Sequence, residues 1–173
     1  LYATGDSAGA DAAYARHIRA STRHPGLQRA ALAMVRNDIP VAESLLKSHL
    51  MKAPTDVPAI RMLAEVAMRI GRDDDAKNLL DRALELAPGF APARYALVIV
   101  LHRRNDPERA LMEVERLLAA DPRNPAYRNL CAVILSRVGE YARSSRMYRE
   151  LLAEYPNNAK VWLSFGHVLK TAG

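Results

Sequence analysis

The sequence of 173 residues contains a single cysteine, Cys131, and no long apolar segment. One cysteine cannot form an internal disulfide, so the fold must be held by packing alone, which is typical of a reducing compartment. No apolar run approaches the roughly 20 residues that a membrane-spanning helix needs, and no signal segment with a cleavage site opens the chain. These absences predict a cytoplasmic protein with no membrane partner. Because the sequence begins at Leu1 rather than Met and stops at Gly173, we expect it to be a piece of a longer protein.

Residues able to bind a metal or perform catalysis are few and scattered. The histidines form no i, i+4 pair and have no cysteine partner at zinc-ligand spacing. They are His17, His24, His49, His102 and His167. The string Gly5-Asp6-Ser7-Ala8-Gly9 matches a nucleophile elbow, but an elbow follows a β-strand and only four residues precede this one, so we interpret it as a helix cap. The sequence therefore predicts no metal site, no cofactor and no enzymatic activity in this chain.

Basic residues outnumber acidic residues, 25 Lys and Arg against 19 Asp and Glu, which gives a formal net charge of +6. This excess makes an acidic partner plausible. Most of the basic residues are arginine and alanine is frequent, so a compositional bias of the genome explains the same numbers. The aromatic residues are two Phe, one Trp and seven Tyr. We expect Tyr148, Trp162 and Phe165 to be core residues, which leaves few aromatics for base stacking in a nucleic-acid site.

Two series of helix-ending residues recur at an interval of 34 residues. The first series consists of prolines, which end helices because they lack the N–H donor and clash with the preceding turn. The second consists of Gly and Asn, which take the left-handed conformation after a helix most readily, and each member predicts a turn inside a helical hairpin. The series are Pro54, Pro88, Pro122 and Pro156, then Asn37, Gly71, Asn105, Gly139 and Gly173.

Small residues form two further series in the same register. In the first, residues four and seven positions further on are mostly apolar, which keeps one face of a helix apolar. The second puts small side chains where neighbouring helices must approach closely. The series are Ala42, Ala76, Ala110 and Ser144, then Ala30, Ala64, Val98, Ala132 and Gly166. Cys131 holds the position of Leu97 and Phe165 in other units, so we interpret it as an inert core thiol.

These series predict an all-α chain in which first and second helices alternate. The predicted first helices are 25–36, 57–70, 91–104, 125–138 and 159–172, and the second helices are 40–52, 73–86, 107–120 and 141–154. Asp38 and Asp106 are predicted N-caps, because Pro40 and Pro107 follow them within two positions at a helix start. The repeats are 23–56, 57–90, 91–124, 125–158 and a partial repeat over 159–173. Residues 1–22 are predicted to form an N-terminal capping helix, since a stack of repeats needs a terminal element with one polar face.

The residues Trp162, Phe165, Gly166 and Leu169, followed by Gly173, resemble the tetratricopeptide signature W-x2-L-G-x2-Y. This resemblance covers residues 23–173. It implies a right-handed superhelical solenoid of antiparallel helix hairpins, about four and a half repeats long, whose first helices line a concave groove.

A narrower resemblance concerns whole segments. HIRAS, IRMLAEVAMRIGR, LDRALELAPGFAPARYALVIVLHR and KVWLSFGHVLKTAG are similar to the N-terminal repeats of bacterial proteins that join tetratricopeptide repeats to a C-terminal sulfotransferase domain. No phosphosulfate-binding loop is present in these 173 residues. The resemblance therefore implies a sulfotransferase parent whose catalytic half lies beyond Gly173.

The tetratricopeptide resemblance implies a protein-interaction module that holds an extended peptide or partner in its groove. The predicted lining consists of first-helix positions opposite the small residues: Arg61, Glu65, Arg69, Tyr95, Ile99, His102, Arg103, Asn129, Val133, Arg137, His167 and Lys170. Arg69, Arg103 and Arg137 recur 34 residues apart, so stacking should align them as a ladder. We expect this ladder to bind an acidic peptide. The open alternative is that these arginines only complement helix ends and stay solvated.

Two other binding modes are weighed against this one. The carboxylate clamp of chaperone-binding repeats needs a basic residue and an amide where Leu27 and Ala31 stand, so that mode is not predicted. A nucleic-acid-binding solenoid is the alternative function. Base-reading repeats depend on a recurring polar set at fixed positions, and one groove position here carries the unmatched set Arg61, Tyr95, Asn129 and Leu163.

The last predicted helix, 159–172, has no second helix to follow it. We expect Trp162 and Phe165 to be exposed on the face that such a helix would cover. Exposed apolar patches usually find a partner, so the sequence predicts either self-association through this end or a lower stability than that of a chain extended to complete the hairpin.

Overall fold

The structure is a computed structural model, which describes residues 24–172. The predicted capping helix over 1–22 and the turn at Gly173 lie outside these residues. The regular elements of the described part are all α-helices: α1 (Pro25–Val35), α2 (Ile39–Lys52), α3 (Val57–Arg69), α4 (Asp73–Leu86), α5 (Ala91–Arg103), α6 (Pro107–Ala120), α7 (Pro125–Arg137), α8 (Tyr141–Glu154) and α9 (Ala159–Ala172). Every helix begins and ends within one residue of its predicted bounds. The predicted all-α class is confirmed.

Most helices begin where the sequence supplies a cap. Asp38 and Asp106 accept the backbone N–H three residues further on, which confirms them as N-caps of α2 and α6. Asp56, Asn124 and Asn158 cap α3, α7 and α9 in the same way. A proline occupies one of the first two positions of α1, α2, α3, α5, α6 and α7, where no N–H donor is required.

The turns inside the hairpins have the predicted left-handed backbone. The φ angles are 57° at Asn37 and Asn105, 74° at Gly71 and 85° at Gly139. Each of these residues lies two positions beyond the end of a first helix. The prolines of the other series stand two positions beyond the ends of the second helices. Both series therefore mark the ends of helices, as predicted.

The hairpins stack into a curved solenoid. Consecutive helices pack against each other along the whole described chain, and first helices also touch first helices of the next repeat: α1 touches α3, α3 touches α5, and α7 touches α9. Neighbouring second helices make no comparable contact in residues 24–172. Because the first helices lie closer together than the second helices, they form the inner, concave side.

The small residues lie where the helices cross, except Gly166 of α9, which is exposed and for which the predicted close approach is wrong. Ala30, Ala64, Val98 and Ala132 are fully buried, as are their counterparts on the second helices, Ala42, Ala76, Ala110 and Ser144. The Ser144 hydroxyl donates to the Ala132 carbonyl of α7 at 2.7 Å, so this polar member of the series has a hydrogen-bond partner. Cys131 is also buried, and burial raises the pKa of its thiol to about 11. Its predicted core position is confirmed.

The prediction that both Trp162 and Phe165 of the last helix are exposed is wrong for Phe165. Phe165 is only 7% exposed, because it packs against Tyr148 of α8 with a ring-centroid separation of 5.8 Å. Trp162, expected both as a core residue and as part of the exposed end, is 53% exposed and donates its indole N–H to the Pro156 carbonyl. The preceding hairpin therefore covers Phe165 but leaves Trp162 at the surface.

Candidate functional site

The residues predicted to line the groove lie on α3, α5, α7 and α9, which are helices of the concave side. This set, from Arg61 to Lys170, is termed the inner face. Its members differ in accessibility. Arg61 is buried; Glu65, Tyr95, Ile99, His102, Asn129 and Val133 are half-buried; Arg69, Arg103, Arg137, His167 and Lys170 are exposed. A peptide in the groove would contact these exposed residues first. That a peptide binds there stays a prediction.

On α3 the inner face carries a short chain of ion pairs. Glu65 lies between two arginines one helical turn away, with its carboxylate oxygens 3.2 Å from Arg61 and 3.2 Å from Arg69. Arg61 is buried by this arrangement, so its guanidinium is directed at Glu65 rather than at solvent. The predicted groove residue Arg61 therefore supports α3 more than it offers a contact surface.

The arginine ladder has contacts that the sequence did not indicate. Arg69 donates to the Met34 carbonyl at 2.7 Å, and Arg103 donates to the Met68 carbonyl at 3.2 Å. Each acceptor belongs to the last turn of the preceding first helix. The same carbonyls also accept backbone N–H groups from the turns that follow, from Asn37 at 3.2 Å and from Gly71 at 3.3 Å. Carbonyls at a helix C-terminus carry partial negative charge, so they attract a cation as well. Arg69 and Arg103 thus complement helix ends, but those of the neighbouring repeat rather than their own.

The three ladder residues differ in how their charges are balanced. Arg69 pairs with Glu65, and Arg103 pairs with Asp73 at 3.1 Å. Arg137 donates to the amide oxygen of Asn105 at 3.0 Å, which is a neutral partner. In the part of the chain that the structure describes, no carboxylate pairs with Arg137. Its charge is therefore the one uncompensated charge of the described ladder.

The middle of the inner face is less charged. The Tyr95 and Tyr127 rings lie 5.8 Å apart, and Ile99 packs partly into the core. Burial raises the pKa of the Tyr127 hydroxyl, and the charge of Asp121 adds to this shift. Burial lowers the pKa of His102, and the nearby charge of Arg137 lowers it further.

A cavity of about 400 Å³ lies between α7 and α9, and residues of α8 form its base. It brings together three predicted residues of the inner face, namely Val133, Arg137 and His167. The other lining residues are Ser136, Tyr141, Tyr148, Ser164, Val168 and Thr171. Sequence reasoning missed these six. The only sign in the sequence was the aromatic Tyr148 at a second-helix core position, and burial raises the pKa of that tyrosine to about 12.

Other predicted features contribute less to this site. Lys170 is exposed on α9 and does not line the cavity. Among residues 24–172, no three His, Cys, Asp or Glu side chains are grouped so that they could hold a metal ion. The same residues contain no helix long and apolar enough to cross a membrane.

Comparison with known proteins gives a consistent family match. The family model described as "Tetratricopeptide repeat" matches residues 33–85 and 74–134. The chain is similar to YpiA of Bacillus subtilis (strain 168), a TPR repeat-containing protein, with 25% identity over 92 residues; the match covers 53% of this chain and 22% of YpiA. It is also similar to the cytochrome c-type biogenesis protein CycH of Rhizobium meliloti (strain 1021), with 32% identity over 139 residues, covering 78% of this chain and 36% of CycH. The matched region thus spans well under half of either relative.

Solved structures support the same architecture. The crystal structure of YrrB, described as "a TPR protein with an unusual peptide-binding site", superimposes with a TM-score of 0.74 and 18% identity. The superposition covers 87% of this chain and 79% of YrrB. At this identity the likeness shows the fold, which is the superhelix of stacked hairpins.

Proposed function

Because the chain belongs to the tetratricopeptide repeat family, we propose that it is a protein-interaction scaffold that binds an extended acidic peptide along its inner face. The observation that carries this proposal is the charge of that face. Its exposed members include four basic side chains, those of Arg69, Arg103, Arg137 and Lys170, whereas the carboxylates beside them are those of Glu65 and Asp73. A surface with this imbalance attracts and orients an acidic chain.

The contacts within the ladder prepare it for such a partner. A guanidinium has five N–H donors, and the bonds of Arg69 and Arg103 to the preceding helix use only some of them. The remaining donors are held in place by those bonds, so less side-chain freedom is lost when a peptide carboxylate binds. Tyr95 and Ile99 supply half-buried apolar surface beside the ladder. The likeness to YrrB supports peptide binding by this fold.

Charge reversal at matched positions tests the proposal. Arg103→Glu changes the inner face, whereas Arg146→Glu makes the same change of charge on the exposed surface of α8. We expect Arg103→Glu to weaken binding of a fluorescein-labelled Asp/Glu-rich peptide by at least about tenfold, since a close charge contact becomes repulsive. Arg146→Glu should change the affinity by less than about threefold. Fluorescence anisotropy measures both affinities.

Salt provides a second readout of the same binding. The screening length falls from about 10 Å at 0.1 M salt to about 3 Å at 1 M, so the affinity of the peptide should fall as salt is added. A peptide affinity that ignores salt, or equal losses in the two variants, would show that the ladder is only a solvated set of helix ends.

The narrower part of the proposal is that the scaffold positions substrate or partner for a sulfotransferase domain. It is supported only by the resemblance of the segments described above. In this view residues 1–173 have no catalytic activity of their own. The reading frame downstream of Gly173 in the source gene tests it: a phosphosulfate-binding loop there would support a sulfotransferase parent, and a catalytic domain of another kind would contradict it.

Self-association through α9 is also part of the proposal. Trp162 and Leu169 are exposed, whereas their counterparts in α5 and α7 are half-buried or buried. We expect the chain to dimerise at micromolar concentrations and Trp162→Glu to make it monomeric in sedimentation velocity. Met112→Glu, at an exposed apolar residue of α6 with a similar exposed fraction, is the matched control and should leave the dimer intact. A wild-type chain that sediments as a monomer would refute this part.

A cytoplasmic location completes the proposal. It is supported by the single cysteine, which is a buried free thiol, so the fold does not depend on a disulfide. Fractionation of the source organism with an antibody against this chain tests it, and recovery outside the cytoplasm would contradict it.

A further inference from the structure

The cavity between α7 and α9 has the lining of an anion site. Its volume of about 400 Å³ lies in the range of small-ligand pockets. A guanidinium, an imidazole and several hydroxyl groups line it, and none of the lining residues in the described range 24–172 carries a carboxylate. A concave site with cationic and hydroxyl donors but no acid favours a negatively charged group.

Arg137 gives this cavity its charge. Arg69 and Arg103 each pair with a carboxylate, whereas the hydrogen bond of Arg137 within the described part of the chain goes to the neutral amide oxygen of Asn105. Its field reaches beyond the cavity, because it contributes to the lowered pKa of His102 on α5. Arg137 is therefore the ladder arginine whose positive charge is available to a bound anion.

The hydroxyl groups of the cavity fall into two classes. Ser136 donates to the Val133 carbonyl at 2.7 Å, and Thr171 donates to the His167 carbonyl at 2.9 Å, so their hydrogens are already used. Tyr148 and Ser164 are hydrogen-bonded to each other. The donors that remain for a ligand include the Arg137 guanidinium, the Tyr141 hydroxyl and an imidazole N–H of His167. The Tyr148–Ser164 bond also leaves one hydroxyl hydrogen of that pair unused.

We propose that this cavity is an anion subsite of the groove, in which Arg137, Tyr141 and His167 hold an oxyanion carried by a side chain of the bound peptide. The oxyanion is a carboxylate or a phosphate ester. Val133 and Val168 form the apolar part of the wall. The peptide in this proposal is that of the proposed function, on which the subsite rests. Binding of one oxyanion in the subsite would set the position of that peptide along the ladder.

Inorganic phosphate tests the subsite without any peptide. Phosphate is titrated into the chain at constant ionic strength, with chloride as the balancing anion, and the His167 ring signals are followed by NMR. We expect saturable shifts, and Arg137→Gln should weaken phosphate binding at least about tenfold, because it removes a charged hydrogen-bond donor. The glutamine retains an amide donor for Asn105, and circular dichroism checks that the variant is folded.

Arg82→Gln is the matched control, because it removes the same charge from an exposed position of α4 that does not belong to the inner face. It should change phosphate binding by less than about twofold, since Arg82 pairs with Glu85 and lies outside the cavity. Equal losses in the two variants, or shifts of His167 that do not saturate, would overturn the subsite.

Peptides separate the subsite from the proposed function. Three acidic peptides, identical except for Glu, phosphoserine or Gln at one central position, are compared on wild type and Arg137→Gln. The subsite predicts that Arg137→Gln removes the advantage of Glu or phosphoserine over Gln, and the larger of the two advantages identifies the oxyanion. If all three peptides bind both proteins equally while Arg103→Glu weakens them, the subsite is wrong and the proposed function stands. If phosphate binds through Arg137 but no peptide binds, the proposed function is wrong and only the anion site stands.

Discussion

Replacement of Arg69 by methionine tests whether the arginine ladder couples neighbouring repeats. The Arg69 guanidinium joins α3 to α1 through its 2.7 Å bond to the Met34 carbonyl, and it also pairs with Glu65. Methionine retains much of the apolar stem, so the change removes mainly the charged donor. Because each repeat is stabilised by its contacts with neighbouring repeats, the loss should lower the stability of the whole stack.

The magnitude follows from the type of bond and its exposure. A hydrogen bond from a charged donor contributes about 1.5–3 kcal/mol. The Arg69 side chain is 25% exposed, so solvent weakens the interaction, and we expect Arg69→Met to lower the free energy of unfolding by about 1–2 kcal/mol. Arg82→Met is the control, because Arg82 is 55% exposed and pairs only with the exposed Glu85. It should cost less than about 0.5 kcal/mol.

Urea unfolding followed by circular dichroism measures both free energies. A loss for Arg69→Met no larger than that for Arg82→Met would refute the coupling role of the ladder. The contribution of Glu65 is separated by repeating Arg69→Met in a Glu65→Gln background. If the whole effect disappears in that background, the ion pair within α3 and not the bond to α1 explains the stability.

Three further predictions concern stability and reactivity. Leu80→Ala, at a fully buried position of α4, should lower the free energy of unfolding in urea by about 3 kcal/mol, because it leaves a cavity in the core. Gly139→Ala should cost about 1–2 kcal/mol in the same assay because its φ of 85° is left-handed, whereas Gly89→Ala, where φ is not left-handed and the added methyl meets open space, should be nearly neutral. Cys131 should react slowly with a thiol reagent at pH 8, because its pKa of about 11 keeps it a neutral thiol; the rate should rise as pH approaches that value and rise sharply in urea, and fast native labelling at pH 8 would contradict its buried position.

The helices could be predicted almost to the residue because their ends are encoded locally. Pro88 stops the chain from continuing α4, and Gly71 or Asn105 permits a turn that other residues resist. The period of 34 residues then repeats each signal, so an error in one unit is corrected by the others. Burial of the small residues follows from the same register, and it is confirmed at Ala64 and Ala132.

Contacts between repeats could not be predicted in the same way. The partner of Arg69 is 35 residues away, and its distance depends on the rotation between successive hairpins, which no local signal sets. The cavity beside Arg137 arises from how α9 packs against α7 and α8, so its hydroxyl groups do not stand out in the sequence. The core position predicted for Phe165 is confirmed and its predicted exposure is wrong, because the preceding hairpin covers it.

The central claim is that the inner face binds an acidic peptide. The most direct measurement is an NMR titration of the ¹⁵N-labelled chain with an unlabelled Asp/Glu-rich peptide, with each shifted amide assigned to its helix. The account predicts that the largest saturable shifts fall on α5, α7 and α9, at Ile99, Val133 and His167, and that they diminish as salt is added. Largest shifts on second helices, for example around Arg146 in α8, or no saturable shifts at all, would contradict it.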